Sequence, residues 1–501
     1  MGVPSYFKTI IQSYNDILIH QTNYDLNVNN LFFDLNCLIH PCCRGLTDEK
    51  EMLKKIEEYI LKIIDIVKPK DLIYLAIDGV CPRSKIEQQR KRRFKSALEK
   101  KIWDTNAITP GTKFMSNLNK FLKKKFKNHK NIKISDSTIK GEGEHKIMEI
   151  LKNQNNNDIN IVYGLDADLI HLSLIRENNI YLLRETTEYN FEQVDCEFIY
   201  LDINILKKYL VKDIKRDYKI SNQTTINDYV FLCFFIGNDF IHNSPMINIR
   251  YGGLDYLLEV YNSCQTYHSG YFYLIYENKL DLKNFKYFIN KLCSKEKEKL
   301  ENILNIRKNQ EKKYLNIYEN IYHSYKKKDL NDFTDEYITE FKNHLPVIDR
   351  EDEKWVFKDF KNHNRRYYFY NKFLNKNYDP SFDDVILFEK KNICENYLES
   401  IVWTTNYYFD SNLSWKWYYR YHYSPLLEDL NSYLKNIDSL DVIKSDPESL
   451  EPKQQLLLVL PENSLYLNDN LKNEDYYYPK SFHTNTFMKR YSWEGYPVLP
   501  G

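Results

Sequence analysis

Three short apolar runs that each stop at an aspartate set the strongest limit on how this chain can fold. The runs span residues 31–33, 72–77 and 159–165, and they end at Asp34, Asp78 and Asp166. Short, continuous apolar runs are typical of strands that are buried on both faces of a sheet. Segments with helical apolar spacing separate the runs. The pattern therefore predicts an α/β fold with a mainly parallel central sheet flanked by helices.

Two pairs of alternating carboxylates lie close to these predicted strands. They are Glu142 and Glu144 in the sequence GEGEHK, and Asp166 and Asp168 in the sequence GLDAD. Acid-x-acid spacing places both side chains on one side of an extended backbone, roughly 6–7 Å apart at about 3.3 Å per residue. Carboxylates that converge without cations repel one another and raise their own pKa values, so a cluster of them predicts a divalent-metal site.

Recurrence separates these acids from ordinary helix caps. One Asp after a strand is more often an N-cap than a ligand, but three strand-terminal acids and two carboxylate pairs are hard to explain as caps alone. A further apolar run at 228–240, which fits a buried helix at least as well as a strand, brings Asp239 toward the same region. The candidate catalytic and metal-binding residues are Asp34, Asp78, Glu142, Glu144, Asp166, Asp168 and Asp239.

Oxygen ligands of this kind also indicate which metal and which chemistry to expect. No Cys or His set accompanies the acids in the sequence, which favours Mg²⁺ or Mn²⁺ over zinc. A pair of such ions can activate water and stabilise the leaving oxygen in phosphodiester hydrolysis. Open parallel sheets bind their ligands beyond the carboxyl ends of the strands, and this is where the acids are predicted to lie.

A strongly basic segment follows Asp78. Lys85, Gln89, Arg92 and Arg93 have the spacing i, i+4, i+7 and i+8, so a helix would present three cations and an amide on one face. On charge alone, a solvated surface is as good an interpretation as a phosphate site. The position of the segment favours phosphate binding, because its face begins seven residues after a predicted metal ligand.

Composition limits the class of protein but does not indicate its binding partner. The net charge is +1, which argues neither for nor against nucleic acid. The nine cysteines are scattered without a CxxC pair, which predicts neither a disulfide framework nor a zinc site and favours a reducing compartment. The N-terminus lacks a signal-peptide pattern and the apolar runs are too short to span a bilayer. We expect a soluble, intracellular protein.

The chain divides into three predicted parts. Residues 1–260 form the α/β core, 261–345 a helical extension with apolar residues at i, i+3 and i+4, and 346–501 an aromatic-rich second region that completes the site. Aromatic runs at 366–370 and 414–423 are expected to be mostly packed core, although one or two of these rings could stack on bases. We expect His145 to have a structural role.

The ordered set of motifs closely resembles the Xrn-type 5′→3′ exoribonucleases. The matching pieces are MGVP at 1–4, DLN at 34–36 with His40, DGV at 78–80 followed by Pro82 and the basic segment, GEGEHK at 141–146, GLDAD at 164–168, and the segments 228–239 and 414–425. The match is collinear to about residue 499, as in a compact member with the catalytic regions only. Lys140 departs from the family pattern, which has proline there, and His242-Asn243 replaces Pro-His.

The resemblance implies a fold, a reaction and a set of residue roles. It implies a nuclease core of the PIN and flap-nuclease type, with a largely helical second region packed against it. The seven acids would bind a pair of Mg²⁺ or Mn²⁺ ions, and Lys85, Gln89, Arg92 and Arg93 would bind a 5′-monophosphate. His40 would stack the first base with Trp415 or Trp417, and Pro82, with the N-terminal segment, would exclude duplexes.

The implied activity is processive degradation of 5′-monophosphorylated single-stranded RNA to 5′-mononucleotides by a monomeric enzyme, in RNA turnover. One alternative is a DNA nuclease of the flap-endonuclease type, which shares an acid-lined α/β core. The tryptophan-rich second region and the basic segment argue against it. The other alternative is a catalytically silent RNA-binding scaffold, and the presence of all seven acids argues against that.

Overall fold

The computed structural model describes residues 6–20, 26–97, 102–186, 196–215, 219–268, 270–325, 383–410, 413–471, 483–485 and 495–499. The N-terminal motif at 1–4, the aromatic run at 366–370 and most of the predicted junction near 345 therefore lie outside the described residues. Across the described segments, every helix is too short or too polar to cross a lipid bilayer.

A seven-stranded sheet forms the centre of the α/β part. Its strands are β1 (Leu18–His20), β2 (Asn30–Asp34), β3 (Leu72–Ala76), β4 (Ile132–Ser135), β5 (Ile159–Tyr163), β6 (Asn179–Glu185) and β7 (Phe198–Asp202). The spatial order is β1-β7-β6-β5-β2-β3-β4, and β7 is the strand that runs antiparallel to its neighbours. The predicted α/β fold with a mainly parallel sheet is confirmed, and β2, β3 and β5 coincide with the three apolar runs.

The strand order reverses beside β2. The chain leaves β2 on one side to form β3 and β4, and it returns on the other side with β5 and β6. Such a reversal opens a crevice beyond the carboxyl ends of the strands, where ligands of open α/β sheets bind. The fold thus places the ends of β2, β3 and β5 around one crevice.

Helices cover both faces of the sheet. The helices of this part are α1 (Tyr6–Ser13), α2 (Leu35–Cys43), α3 (Glu49–Val67), α4 (Arg83–Ser96), α5 (Lys113–Lys125), α6 (Gly143–Leu151), α7 (Ala167–Leu174), α8 (Ile203–Ile214) and α9 (Asn222–Phe234). Successive strand residues point to opposite faces. Phe32 belongs to the hydrophobic core on one face, whereas Leu31 and Phe33 belong to the core on the other. This double burial explains the continuous apolar sequence of β2.

The remaining described elements are mostly helical. They are α10 (Gly253–Tyr267), the strands β8 (Ile275–Tyr276) and β9 (Lys279–Leu280), α11 (Leu282–Leu292), α12 (Glu296–Tyr325), α13 (Asp383–Thr405), a π-helix (Asn406–Asp410), α14 (Leu427–Leu434), α15 (Pro452–Val459), β10 (His483–Asn485) and β11 (Tyr496–Val498). The predicted apolar face of α11 is confirmed, because Phe285, Phe288, Ile289 and Leu292 are fully buried. The run at 228–240 is helical as far as Phe234.

The second region packs directly on the α/β part. Trp403, Tyr407 and Tyr408 belong to the same hydrophobic core as Phe32. A separate cluster joins α15 to α4 and includes Cys81, Ile86 and Leu456. Residues that are distant in the sequence therefore meet at the crevice beside β2.

Candidate active site

Most of the predicted acids lie where a helix begins at the carboxyl edge of the sheet. Asp34 ends β2 and precedes α2, Glu142 precedes α6, and Asp166 precedes α7. Glu144 and Asp168 lie in the first turns of α6 and α7. In each acid-x-acid pair, the first acid thus stands at the N-cap position and the second lies within the first turn of the helix.

The side chains of two of these N-cap acids do not cap the helices that they precede. Within the described residues, Asp34 and Glu142 make no capping hydrogen bond to α2 or α6. Asp202 stands at the equivalent position before α8, and its side chain accepts hydrogen bonds from the backbone N–H of Asn204 and Ile205. Two kinds of acidic residue therefore stand before helices at this sheet. Asp202 caps its helix, whereas Asp34 and Glu142 do not.

The backbone at Gly143 brings two of the acids together. Its N–H donates a 2.6 Å hydrogen bond to Asp78 Oδ1. A Cβ at this position would lie 2.8 Å from Asp34 Oδ1 and 3.4 Å from Asp78 Oδ1. Any side chain there would collide with Asp34, so the second glycine of the GEGEHK motif is a requirement of this close approach.

All seven predicted acids meet in one cluster, which we call the acid edge. Asp34, Cys37 and Asp166 each offer a ligand atom, and these atoms lie within 4.8 Å of one another. Asp34 also repels Asp78 and Glu142, and Asp168 repels Asp239. Glu144 is repelled by Glu142, Asp168 and Asp34. The structure brings these residues together as the sequence predicts, while their individual roles remain predictions.

Burial and mutual repulsion dominate the electrostatics of the acid edge. Burial and the neighbouring Asp78 raise the pKa of Asp34 to about 8. Burial, together with Glu142, raises the pKa of Asp78 to about 6, and burial with Asp239 raises the pKa of Asp168 to about 6. The pKa of Glu144 lies well above its usual value, chiefly because of burial. A cluster that resists ionisation in this way is a strong acceptor for added cations.

Lys85 supplies the principal positive charge beside the acid edge. Its Nζ lies 2.8 Å from Glu142 Oε1 and 2.8 Å from Asp239 Oδ2. Burial alone would raise the pKa of Asp239, but the Lys85 ammonium lowers it below its usual value. Gln88 Nε2 donates a 3.2 Å hydrogen bond to the other oxygen of Asp239. The residue that the resemblance assigns to the 5′-phosphate is therefore in contact with two predicted metal ligands.

The other three residues of the predicted phosphate site also lie on α4. Gln89 is buried, and within the described residues its Oε1 has no hydrogen-bond partner. Arg92 is exposed. Arg93 is buried and its Nη1 donates to Asn106 Oδ1 at 3.3 Å and to Thr109 Oγ1. Burial lowers the pKa of Arg93 to about 9. Two of the four residues thus have protein partners that a phosphate would have to share.

The predicted base-stacking residues occupy different surroundings. His40 is exposed in the last turn of α2. The ring of Trp417 stacks on Trp403, with centroids 5.5 Å apart, and its Nε1 donates to Glu399 Oε2 at 2.9 Å. The backbone carbonyl of Trp415 accepts a 2.8 Å hydrogen bond from the N–H of Arg83 at the start of α4. Trp415 is thus tied to the basic helix, whereas Trp417 is tied to α13.

Pro82 and the residues that depart from the family pattern, Lys140 and Asn243, pack against or hydrogen-bond to their surroundings. Pro82 is buried immediately before α4. Lys140 Nζ lies 4.7 Å from the centroid of the Trp415 ring and donates a 3.0 Å hydrogen bond to the Pro447 carbonyl. Asn243 Nδ2 donates to the carbonyls of Ser244 and Ile247 at 3.1 and 3.0 Å. The side chain of Asn243 thus stabilises its own loop, whereas that of Lys140 joins its loop to the second region.

Sequence reasoning missed four polar neighbours of the acid edge. Asn36 donates through Nδ2 to Asp78 Oδ2 at 2.7 Å, and Lys146 donates through Nζ to the Ile77 carbonyl at 2.6 Å. Both residues belong to motifs that contain the acids, DLN at 34–36 and GEGEHK at 141–146, so their spacing from the acids was an available signal. Tyr407 and Tyr408 donate to Glu142 and Asp168. Nothing in the local sequence pattern around these tyrosines indicates a role.

The donors of the acid edge fit a hard divalent cation. They are carboxylate oxygens from several separate segments. The raised pKa values of Asp34, Asp78 and Asp168 show that positive charge nearby does not offset burial and repulsion at these three residues. Cys37 adds a sulfur atom, but its thiol donates to Asp34 Oδ2 at 3.1 Å, and burial raises its pKa well above the usual value. The group can hold a metal ion through oxygen, while the protonated thiol is a poor ligand.

Comparison with known proteins gives concordant matches along the chain. The model of the XRN 5′-3′ exonuclease N-terminus matches residues 1–102 and 98–186, and that of the Xrn1 helical domain matches residues 219–345 and 357–500. The chain is 28% identical to 5′-3′ exoribonuclease 2 of Arabidopsis thaliana over 100% of its length and 66% of the relative's. It is 29% identical to 5′-3′ exoribonuclease 1 of Homo sapiens over 100% of its length and 33% of the relative's. The chain therefore spans between a third and two thirds of the length of these curated relatives.

Proposed function

The chain belongs to the XRN family of 5′-3′ exonucleases, and from this premise we propose that it degrades single-stranded RNA processively from a 5′-monophosphate end. The products are 5′-mononucleotides, and the biological process is RNA turnover. Curated relatives are named 5′-3′ exoribonucleases, which supports the reaction class. The observation that carries the proposal for this chain is the acid edge, with the basic helix α4 in direct contact with it.

The seven carboxylates of the acid edge are the proposed ligands of two Mg²⁺ or Mn²⁺ ions. Divalent ions held there would neutralise charge on the scissile phosphate and lower the pKa of the attacking water. The protein's own contribution is orientation. Gly143 N–H and Asn36 Nδ2 each bind one oxygen of Asp78, at 2.6 and 2.7 Å, and so fix the plane of its carboxylate. Hydrogen bonds of this kind keep a ligand in one geometry before the ion arrives.

Helix α4 is the proposed recognition element for the 5′ end. Lys85, Gln89, Arg92 and Arg93 would bind the terminal monophosphate, and the ammonium of Lys85 would be shared between the phosphate and the acids that it contacts now. A triphosphate or capped end would lack both space and pairing. A 5′-hydroxyl end would leave the buried guanidinium of Arg93, which donates to the neutral side chains of Asn106 and Thr109, without an anion, and this is costly. The 5′ end therefore sets the direction of degradation.

The first base of the substrate is proposed to stack between His40 and a tryptophan. Trp415 is the better candidate, because its carbonyl accepts from the N–H of Arg83 at 2.8 Å and so places it beside the start of α4. Trp417 already stacks on Trp403. Pro82, together with the N-terminal segment, would exclude duplexes. We further propose that the enzyme is a monomer divided into 1–260, 261–345 and 346–501, with the last part completing the site.

The test is a degradation assay on RNAs that differ only at the 5′ end. RNAs with a 5′-monophosphate, a 5′-hydroxyl or a 5′-triphosphate are compared with and without EDTA, and the Asp166→Ala variant is the catalytic control. We expect 5′-mononucleotides from the monophosphate RNA alone, with no product in EDTA or from the variant. Cleavage of a flap DNA with intact RNA would contradict the proposal. Robust metal-dependent activity that survives Asp166→Ala would also contradict it.

A further inference from the structure

Two consecutive tyrosines of the second region reach the acid edge. Tyr407 donates its hydroxyl to Glu142 Oε2, and the Tyr408 hydroxyl lies 3.4 Å from Asp168 Oδ1. Both side chains are buried, at 4% and 3% exposure. The two acids that they contact belong to different carboxylate pairs, one at the start of α6 and the other in the first turn of α7. One short segment thus contacts both pairs.

The local backbone explains how neighbouring residues can contact neighbouring acids. Successive residues of an α-helix point about 100° apart, since a turn has 3.6 residues. Tyr407 and Tyr408 lie instead in the π-helix Asn406–Asp410, which continues directly from α13. A π-turn is wider than an α-turn, is rare, and occurs frequently at functional sites. Here it turns both phenol groups toward the crevice.

Aromatic packing fixes the position of the first hydroxyl. The Tyr407 ring is stacked on Trp403, with centroids 5.1 Å apart, and Trp403 is stacked on Trp417. The centroids of the His145 and Phe240 rings lie 3.8 Å and 4.7 Å from that of Tyr407. A phenol enclosed by rings has little freedom to follow a moving carboxylate. The carboxylate must therefore adopt the orientation that the phenol imposes.

Glu142 shows the consequence for its two oxygens. Oε2 accepts from Tyr407, whereas Oε1 lies 2.8 Å from the ammonium of Lys85. The first oxygen is bound to a neutral donor that offers no positive charge. Oε1 contacts the ammonium of Lys85, so it lies on the positively charged side of the carboxylate. Asp168 has a similar neutral donor on one oxygen.

We propose that Tyr407 and Tyr408 are positioning residues of the metal site, each holding one oxygen of a carboxylate so that the other oxygen is presented to a divalent cation. The inference rests on the proposed metal-dependent function. It adds that metal binding depends on two residues of the second region. Partners of this kind in other metal sites are worth about 10- to 100-fold in metal affinity. The Tyr408–Asp168 contact, at 3.4 Å, is near the upper limit for a hydrogen bond, so we expect a smaller effect for Tyr408.

The test compares three Tyr→Phe variants of the full chain by Mn²⁺ binding, measured by calorimetry and by electron paramagnetic resonance in the absence of RNA. Tyr397→Phe is the matched control. Tyr397 is also fully buried on α13, and its hydroxyl donates to a backbone carbonyl, that of His242, at 3.0 Å. We expect Tyr407→Phe to weaken Mn²⁺ binding about 10- to 100-fold. We expect Tyr408→Phe to weaken it about threefold and Tyr397→Phe less than about twofold.

A double-mutant cycle separates positioning from general damage to the fold. Glu142→Gln removes the charge that Tyr407 is proposed to orient, so adding Tyr407→Phe should then change the Mn²⁺ affinity by less than about twofold. Saturating Mn²⁺ should restore the RNA degradation rate of Tyr407→Phe with KM for RNA unchanged. Equal weakening by Tyr397→Phe and Tyr407→Phe overturns the inference, as does an unchanged Mn²⁺ affinity of Tyr407→Phe. Wild-type protein that binds Mn²⁺ but leaves RNA intact contradicts the proposed function alone.

Discussion

The acid edge and the π-helix of the second region contribute to one site in opposite ways. Six of the seven carboxylates of the acid edge come from segments that follow the neighbouring strands β2, β3, β4 and β5, and the seventh, Asp239, follows α9. The π-helix supplies neutral hydroxyl groups from far along the chain, as in the Tyr407–Glu142 contact with a sequence separation of 265. The charge of the site thus comes mainly from residues beside one sheet. The orientation of its carboxylate groups depends on packing against a distant part of the chain.

Removing a charge from the acid edge should have the largest effect. Asp34→Asn keeps the shape of the side chain but removes a proposed metal ligand, so the RNA degradation rate should fall by about 10³-fold, which corresponds to a loss of about 4 kcal/mol of transition-state stabilisation. Initial rates at saturating Mg²⁺ measure the change. Asp202→Asn is the matched control at the end of β7, because Asp202 caps α8 and Asn is an equally good cap. If Asp34→Asn loses no more activity than Tyr407→Phe, the contrast between charge and orientation is wrong.

Gln89 and Arg92 of helix α4 should contribute the next largest effect, and this effect should be on the preference for one kind of 5′ end over another. Gln89→Ala and Arg92→Ala should each reduce the preference for 5′-monophosphate over 5′-hydroxyl RNA by about tenfold or more, since hydrogen bonds to charged groups are worth about 1.5–3 kcal/mol. The ratio of kcat/KM values for the two RNAs measures this. Lys91→Ala, which removes a charge from the position before Arg92, is the control. An unchanged ratio in both variants would contradict the assignment of this helix to the 5′ phosphate.

The acid edge should also make the stability of the metal-free protein fall as the pH rises. The folded-state pKa of Asp34 is about 8, above its usual value of 3.8, because it is buried beside Asp78. The folded state therefore holds a proton that the unfolded state has lost between about pH 4 and pH 8, and the stabilising contribution declines over this range. The expected slope is at most about 1.4 kcal/mol per pH unit for this group.

Thermal unfolding between about pH 6 and pH 8 measures this dependence. In EDTA the Tm should fall with pH, and excess Mg²⁺ should weaken or reverse the trend, because the ionised carboxylates bind the cation. Asp34→Asn should flatten the dependence in EDTA. A Tm in EDTA that rises over the same range would show that the acids are paired in the folded state without metal.

Lys140 should have the smallest effect, although it departs from the family pattern. Its ammonium lies 4.7 Å from the Trp415 ring centroid and donates to the Pro447 carbonyl. Lys140→Ala should cost about 0.5–1 kcal/mol of stability, as for an exposed cation–π contact. The rate of RNA degradation should change by less than about twofold, because the contacts of Lys140 with Trp415 and Pro447 support the position of the Trp415 ring without involving a proposed metal ligand. A loss of preference for 5′-monophosphate RNA as large as that expected for Gln89→Ala would place Lys140 in the substrate site instead.

The sequence was most informative where structure is local. The apolar runs before Asp34, Asp78 and Asp166 predict buried parallel strands, and their acids then meet because parallel strands end on the same side of a sheet. Asp202 follows an apolar strand in the same way but caps α8. Local pattern alone does not distinguish it from Asp34, whose role depends on the neighbouring strands.

The parts that sequence reasoning missed depend on contacts between distant segments. Tyr407 lies in a run of aromatic residues, most of which are core, and its hydroxyl contact follows from a π-turn that hydrophobic periodicity does not encode. The position of Lys85 between Glu142 and Asp239 likewise needs the folded arrangement of α4, α6 and the end of the 228–240 run. Spacing predicts which residues share a helix face, but it does not predict which anion a long cationic side chain will contact.

Mn²⁺ anomalous diffraction from crystals of the full chain is the decisive measurement for the acid edge as a divalent-metal site. We expect anomalous peaks in contact with carboxylate oxygens of the acid edge, with Tyr407 still bound to Glu142. The ammonium of Lys85 should be displaced from at least one of its two acids. Absence of any anomalous peak at the acid edge, at a Mn²⁺ concentration that supports RNA degradation in solution, would contradict the assignment of the metal site.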